Sequence, residues 1–427
     1  MPEAQDDPPV RILHAGTVAL DAISDGQDLA DDPLCGTVGW VTPQGRVLSG
    51  EDDIGEFTEP DLNRVDRIKA GGIANALGAL ALIGANESLQ QQAGATIDST
   101  RQQARRTIMG IMARMGDDKA EKRYRSLIHP DVDQGLISVV QGGKTGLSHV
   151  RLQGKTDGDI EEGTYAIRFR PGASGEWVPT EEELKQIRQL HPDCLNISYP
   201  GLFPYGMDKS NGADLSRFIG ETQQFCPMVG YDTHGPTELC HVEPSLSHTD
   251  TFNANYANAA RIFLSGEVEA VDLDDRDGTL QRIEEQIRGY MVTPTGRSRL
   301  FTITHRNGTL VVFQSASGQV QSRHCLSPCA QIPAAVGTVG AGDVQNGTTQ
   351  LYLAREMGDK WKDGSVTLDD VSLAAKIGQI STTLHLQGEG GKAYVGVTMA
   401  KMEALARTGR KFKTIEELQE ALMAIAA

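Results

Sequence analysis

Gly337-Thr338-Val339-Gly340-Ala341-Gly342-Asp343 runs directly into a helix-compatible segment, Val344 to Ala354. Small residues ahead of a helix leave its first backbone N–H groups bare, and those donors, with the positive end of the helix dipole, favour an anion there. The glycines let a phosphate sit against the backbone. A carboxylate beside an anion site repels the anion unless it has a chemical task. The task that fits Asp343 is to accept a proton from a hydroxyl that attacks a phosphoryl group. The order of the glycines excludes two commoner phosphate loops. A dinucleotide-binding turn reads G-x-G-x-x-G after a first strand, whereas this one reads G-x-x-G-x-G late in the chain. Of G-x-x-x-x-G-K-[ST] only the tail is present, as Gly143-Lys144-Thr145, with Ser138 where the first glycine belongs.

The stretch resembles the D-T-x-G-A-G-D signature of the ribokinase-like sugar kinases, the PfkB carbohydrate kinase family. Gly340-Ala341-Gly342-Asp343 matches its core in full, and Gly337 replaces the leading aspartate. Earlier in the chain, Ala70-Gly71-Gly72-Ile73-Ala74-Asn75 and the small-residue run to Gly84 resemble the family's N-terminal signature, a glycine pair and an asparagine before a helix. The resemblance covers roughly residues 10 to 400, with insertions near 25–65 and 87–106. It implies that Gly340, Ala341 and Gly342 form an anion hole, that Asp343 is the catalytic base, and that Gly71, Gly72 and Asn75 bind the acceptor's hydroxyls. Asp21, which closes the apolar run Val10 to Leu20, reads as a turn former from its residue type alone. By the resemblance it bonds sugar hydroxyls at the end of the first strand.

Strand-like and helix-like segments alternate beyond residue 180. Thr180-Glu181-Glu182-Glu183 is a capping box before a helix with Leu184, Ile187 and Leu190 on one face. Leu195 to Ser198 and Met228 to Tyr231 read as strands, Leu300 to Thr304 and Leu310 to Phe313 as a strand pair, and Ser372 to His385 as a helix. This alternation predicts an α/β fold, a doubly wound, mostly parallel sheet flanked by helices. The β-rich text of Leu136 to Val140, Gly146 to Leu152 and Thr164 to Arg170 predicts a separate small sheet, which the resemblance makes a lid. The expected organisation is one kinase domain over 10–427, lid strands within about 22–66 and 135–172, and a flexible N-terminus over 1–9.

On the nucleotide side the resemblance implies ATP and magnesium. Thr304-His305-Arg306-Asn307-Gly308 stands where the family has T-x-G-x-x-G, so Thr304 and Gly308 are expected beside the nucleotide, with Arg306 in reach of a phosphate. Thr338 and Gly388 complete that set, the latter in Gly388-Glu389-Gly390-Gly391, which also reads as a surface loop. The family's N-x-x-E motif, linked to magnesium and phosphate, is matched by Gly266 to Glu269 after the strand-like Ile262-Phe263-Leu264. Glu269 keeps a carboxylate that could hold a magnesium-bound water, and Gly266 has lost the amide.

Lys+Arg 40 against Asp+Glu 57 in 427 residues gives a net charge of −17, which argues against nucleic acid as a partner. Six scattered cysteines without C-x-x-C spacing read as free thiols of a reducing compartment. Met1 to Pro9 has no apolar core, so neither a signal peptide nor a membrane span is expected and a cytoplasmic location follows. An exposed lid edge makes a homodimer plausible. The expected activity is ATP-dependent phosphoryl transfer to a hydroxyl of a sugar or sugar derivative. Two alternatives stand beside it. One is a nucleoside kinase of the same family, with Trp40, Trp177 and Tyr199 as candidate walls for the base. The other is a catalytically weak binding or regulatory protein, suggested by Gly266, Arg306 and Gly337.

Overall fold

The computed structural model describes residues 9–27, 29, 32–34, 38–41, 46–49, 52–71, 73–92, 107–153, 165–199, 210, 212–233, 239–264, 276–291, 296–305, 307–329, 340–386 and 393–425. Six strands precede the first helix: β1 (Val10–Gly16), β2 (Ala19–Gln27), β3 (Val38–Val41), β4 (Arg46–Ser49), β5 (Asp52–Glu56) and β6 (Arg67–Ala70), then α1 (Ala74–Gln92). A strand–helix–strand unit follows, β7 (Thr107–Gly116), α2 (Lys119–Leu127) and β8 (Val132–Val140), and then β9 (Gly146–Gln153) and β10 (Tyr165–Arg170). The alternating region comprises α3 (Glu181–Leu190), β11 (Cys194–Ser198), α4 (Ala213–Thr222), β12 (Met228–Asp232), α5 (Leu239–Leu246), β13 (Thr251–Asn255), α6 (Tyr256–Phe263), α7 (Arg276–Tyr290), β14 (Arg299–His305), β15 (Gly308–Gln314) and β16 (Val320–Leu326). The remaining described elements are α8 (Ala341–Glu356), α9 (Gly358–Asp363), α10 (Leu368–His385), α11 (Met399–Thr408) and α12 (Ile415–Ala424).

Nine strands form one sheet in the order β16-β15-β14-β13-β12-β11-β1-β7-β8. From β8 to β14 the neighbours are parallel, and β15 and β16 extend the sheet as antiparallel strands. Side chains alternate across it and both faces are apolar. Ile12, Cys194, Met228, Leu300 and Val311 join one buried layer with α1, α2 and α8 to α12. Their neighbours Leu13, Leu195, Val229, Phe301 and Val312 join a second layer with α3 to α7. Burial on both faces is why these strands read as continuous apolar runs. The chain leaves β1 for β7 on one side and β11 on the other, and α/β sheets bind ligands in the crevice outside the carboxyl ends of the strands at such a switch point.

Seven strands form a separate sheet in the order β5-β4-β3-β10-β9-β2-β6. Three sequence expectations change here. Asp21 does not close the first strand. β1 stops at Gly16, where φ is 141° and a Cβ would lie 2.1 Å from Ser198 O; the chain then crosses through Thr17 and Val18 into β2, which carries Asp21 in the second sheet. Leu136 to Val140, expected in the small sheet, is the end of β8 and pairs in parallel with Met112 to Gly116 of the large one. The α2 crossover returns it there. Finally, Ile262 and Phe263 are helical, not extended. Tyr256, Ala259, Ala260 and Phe263 are buried at helical spacing, and the Asn255 side chain caps α6 by accepting from the Asn258 N–H at 2.8 Å. The strand in this region is β13, whose Thr-Phe-Asn-Ala-Asn text has no β-rich run to betray it.

Candidate active site

Helix α8 starts on Gly340, whose φ of 86° a residue with a Cβ adopts only at a cost and which offers no side chain to cap it. A Cβ on Gly340 would stand 2.6 Å from Asn75 Cγ, so this corner must be bare for α1 to approach. Asp343, in the first turn of α8, is 2% exposed. Asn75, in the first turn of α1, donates from Nδ2 to Asp343 Oδ2 at 3.1 Å. Tyr199, directly after β11, donates its hydroxyl to Asp343 Oδ1. A helix start capped by a glycine and a buried carboxylate therefore share one corner beyond the carboxyl end of β11.

Asp21 brings a second carboxylate, 5% exposed, from β2, where Lys69 and Ser148 are its cross-strand partners. Burial, and then the charge on Asp343, push its carboxyl up to about 7, against the pull of Lys69 and of the Ser148 hydrogen bond. Gly71 lies against it: a Cβ there would stand 2.1 Å from Asp21 Oδ2. The Gly71 carbonyl accepts from the Tyr124 hydroxyl at 3.2 Å. Burial, reinforced by the charges of Asp343 and Asp21, raises the phenols of Tyr124 and Tyr199, so both remain protonated donors.

Buried amides seat α8 on the sheet. Gln350 Nε2 donates to Asn196 Oδ1 at 2.8 Å and to Thr251 Oγ1 at 3.0 Å, joining the helix to β11 and β13. Gln345 Nε2 donates to Thr309 Oγ1, which also accepts from Gln379 Nε2 at 3.0 Å. That contact ties α8 and α10 to the β14–β15 hairpin, on which Thr304 and Gly308 sit; Thr304 Oγ1 donates to Ala254 O at 3.5 Å. The structure thus brings together Asp343, Gly340, Ala341, Gly342, Asn75, Gly71 and Asp21, and holds Thr304 and Gly308 on a hairpin linked to them through Gln345. Gly72, Gly266, Glu269, Arg306, Gly337, Thr338 and Gly388 lie outside the described residues.

Several residues at the strand ends escape the sequence reading. β12 ends on Asp232, 1% exposed, which accepts from Asn253 Nδ2 at 2.8 Å, and Thr302 Oγ1 donates to Asn253 Oδ1 at 3.0 Å. β13 ends on Asn255, one helical turn before Asn258. Asn255 and Asn258 thus place two amide side chains one helical turn apart at the carboxyl end of β13. The one signal in the sequence is a polar residue terminating each apolar strand. Trp177 is no substrate wall: it is buried, edge-on to Phe218 at 6.0 Å, with its indole N–H donated to Glu183. Trp40 is described by its backbone alone. Among the described residues no group of three His, Cys, Asp or Glu is placed to hold a metal ion, and no helix is long and apolar enough to cross a membrane.

No protein-family model matches the sequence, and no curated protein matches it. Solved structures do match. Ribokinase from Arabidopsis thaliana, complexed with ribose and ATP, aligns over 97% of this chain and 98% of its own at 14% identity, with a TM-score of 0.54. Ribokinase from Giardia lamblia aligns over 93% and 99% at 17% identity, TM-score 0.56. Adenosine kinase from Anopheles gambiae, in complex with a di(adenosine-5) tetraphosphate, aligns over 90% and 97% at 14% identity, TM-score 0.57. The chain has the ribokinase-like fold of the PfkB carbohydrate kinases. In this ribokinase-like chain the two stretches that carry the sequence resemblance, Gly71 to Asn75 and Gly340 to Asp343, meet at one corner through the Asn75–Asp343 hydrogen bond.

Proposed function

We propose that the protein is an ATP-dependent phosphotransferase that moves the γ-phosphate to a hydroxyl of a sugar or sugar-like molecule. The observation that carries this reading is Asp343, a carboxylate 2% exposed in the first turn of a helix whose N-cap is a glycine. A buried charge is costly, and beside an anion-attracting helix start it finds its use as a base.

In this reading Asp343 takes the acceptor's hydroxyl proton as the phosphoryl group arrives. The amides of Gly340, Ala341 and Gly342 stabilise charge on the transferring oxygens; such preorganised donors are worth ~3 kcal/mol each in mutational tests. Asn75 orients the base, and Asp21 with Gly71 and Gly72 bonds the acceptor's remaining hydroxyls. The second sheet acts as a lid that excludes water. When bound, ATP supplies the phosphoryl group, and magnesium neutralises its phosphate oxygens. The chain fits both. The bare helix start suits a phosphate, and Asp232 with the amide oxygen of Asn255 offers hard donors of the kind magnesium takes. Thr304 and Gly308, with Arg306, Thr338 and Gly388, form the rest of the nucleotide side, and Glu269 is a further carboxylate for a magnesium-bound water. We place the enzyme in the cytoplasm, with dimerisation through the second sheet.

A nucleoside is the second acceptor class, because the rings of Tyr199 and Phe169 pack with Ala19 beside the base's partner and could wall a heterocycle. The test is ADP release from Mg-ATP across a panel of sugars, sugar acids and nucleosides, run beside Asp343→Asn. An active acceptor whose turnover falls by about 10³-fold in the variant supports the base and identifies the acceptor class. Turnover that survives the substitution removes Asp343 from its role. Silence across the panel together with no ATP binding by calorimetry leaves a kinase-like binding protein.

A further inference from the structure

Both oxygens of Asp343 are already engaged by the protein itself. Asn75 holds Oδ2 and the Tyr199 hydroxyl holds Oδ1. With the carboxylate 2% exposed, a hydroxyl from outside has no open approach to it while Tyr199 stays in place. Tyr199 is also one of two residues other than glycine at positive φ among the described residues, at 63°. Pro200 follows it in the sequence, which disfavours compact backbone conformations at the preceding residue. The backbone is held there by two contacts, its N–H donating to Asp232 O at 2.9 Å and its carbonyl accepting from Thr17 Oγ1 at 3.4 Å. Its ring packs on Ala19 and Phe169, so one side chain spans from the end of the large sheet to the second sheet. Strain of this kind persists where the surroundings over-determine it, and it gathers at ligand clamps and switches.

We propose that Tyr199 is an internal competitor of the acceptor, its hydroxyl standing on Asp343 Oδ1 in the place that the acceptor's hydroxyl takes during transfer. The inference rests on the proposed phosphotransferase reading. An acceptor exchanges one hydroxyl donor on Asp343 for another, so the internal hydrogen bond lowers the site's affinity for every acceptor by the same factor. It also keeps water off the base when no acceptor is bound.

The experiment is Tyr199→Phe, which keeps the ring and removes the hydroxyl, assayed with Mg-ATP and whichever panel sugar or nucleoside the wild type phosphorylates. The KM for that acceptor should fall about 10- to 100-fold, the worth of one hydrogen bond to a charged group no longer displaced, with kcat within about threefold. ADP release without acceptor should rise, and should vanish again in Tyr199→Phe combined with Asp343→Asn. An unchanged KM overturns the proposal, and a raised KM does so too, because the hydroxyl would then be helping to hold the acceptor. A merely structural role would lower the thermal midpoint and kcat together without moving KM downward. Failure of the underlying reading looks different: no panel member is phosphorylated by the wild type and Asp343→Asn changes nothing, in which case the assignment of Tyr199 falls with it.

Discussion

Asn75 and Asp343 lie 268 residues apart in sequence and are joined by a 3.1 Å hydrogen bond. Glu87 and Arg355 have the same separation and are joined by a bidentate ion pair. Equal offsets mean that α1 and α8 run parallel and in register, with contacts 12 residues or ~18 Å apart along them. The amide that orients the candidate base is therefore fixed by helix packing, not by a loop. Asn75→Ala removes a hydrogen bond to a charged group, so kcat/KM for the identified acceptor is expected to fall about 10- to 100-fold. Asn75→Asp should be worse, since it sets a second carboxylate against the first. Steady-state kinetics of the two variants checks the order.

Two helical glycines should respond to alanine with opposite signs. A Cβ on Gly347 of α8 would stand 2.8 Å from Ala76 Cβ on α1, and alanine there has to push the helices apart. On Gly78 of α1 it would meet nothing within 4 Å. Gly78→Ala is expected to stabilise the fold by about 0.5–1 kcal/mol through helix propensity. Gly347→Ala is expected to cost about 1–3 kcal/mol and to lower kcat by disturbing Asn75 and Asp343. Urea unfolding of both variants decides whether close approach or propensity governs each site.

What the sequence tells about this fold follows from how local each cause is. Gly340 and Gly71 are legible because a bare backbone corner needs glycine whatever surrounds it, and the large sheet is legible because burial on both faces leaves unbroken apolar runs. β13 is not, because Asn253 and Asn255 are there for the strand's carboxyl end and cost it its β-like text. Asp21 reads as the end of the first strand because a residue-by-residue reading cannot see that Gly16 ends β1 and passes the chain to another sheet. From the sequence Tyr199 reads only as an aromatic that could wall a nucleoside base. Its link to Asp343 depends on a positive φ and on the seating of α8, which are properties of the assembled molecule.

The Glu87–Arg355 pair supports the site from a distance. Arg355 donates from Nη1 to Glu87 Oε2 at 2.7 Å and from Nη2 to Oε1 at 3.1 Å, and Glu87 Oε1 also accepts from the Met399 N–H at 3.0 Å at the start of α11. Burial alone would lower the guanidinium pKa, but Glu87 and then Glu356 hold it firmly charged. Glu87→Ala leaves that buried charge short of its main partner, at an expected cost of about 3–5 kcal/mol. Arg355→Met with Glu87→Leu should cost far less, since burying neither charge removes the desolvation problem. Chemical denaturation of the single and double variants tests this.

Asp21 should make stability fall as the pH rises. Its carboxyl goes from the ordinary 3.8 to about 7 on folding, so between those values the folded state keeps a proton that the unfolded chain releases. Stability then declines with pH across that window, by roughly 2–3 kcal/mol between pH 5 and pH 8 at ~1.4 kcal/mol per unit. His14 acts with the opposite sign. Burial lowers it from 6.5 to about 4, so the unfolded chain holds the extra proton and stability rises with pH from about 4 to 6.5. The wild-type profile mixes the two, and only a difference isolates Asp21. Asp21→Asn should therefore gain stability over the wild type at pH 8 and lose that advantage towards pH 4, as read from urea midpoints. Because the charge on Asp343 is the second cause of the shift, Asp343→Asn should shrink the same slope. A difference between Asp21→Asn and wild type that stays constant from pH 5 to pH 8 would show that the two carboxylates do not share one buried environment.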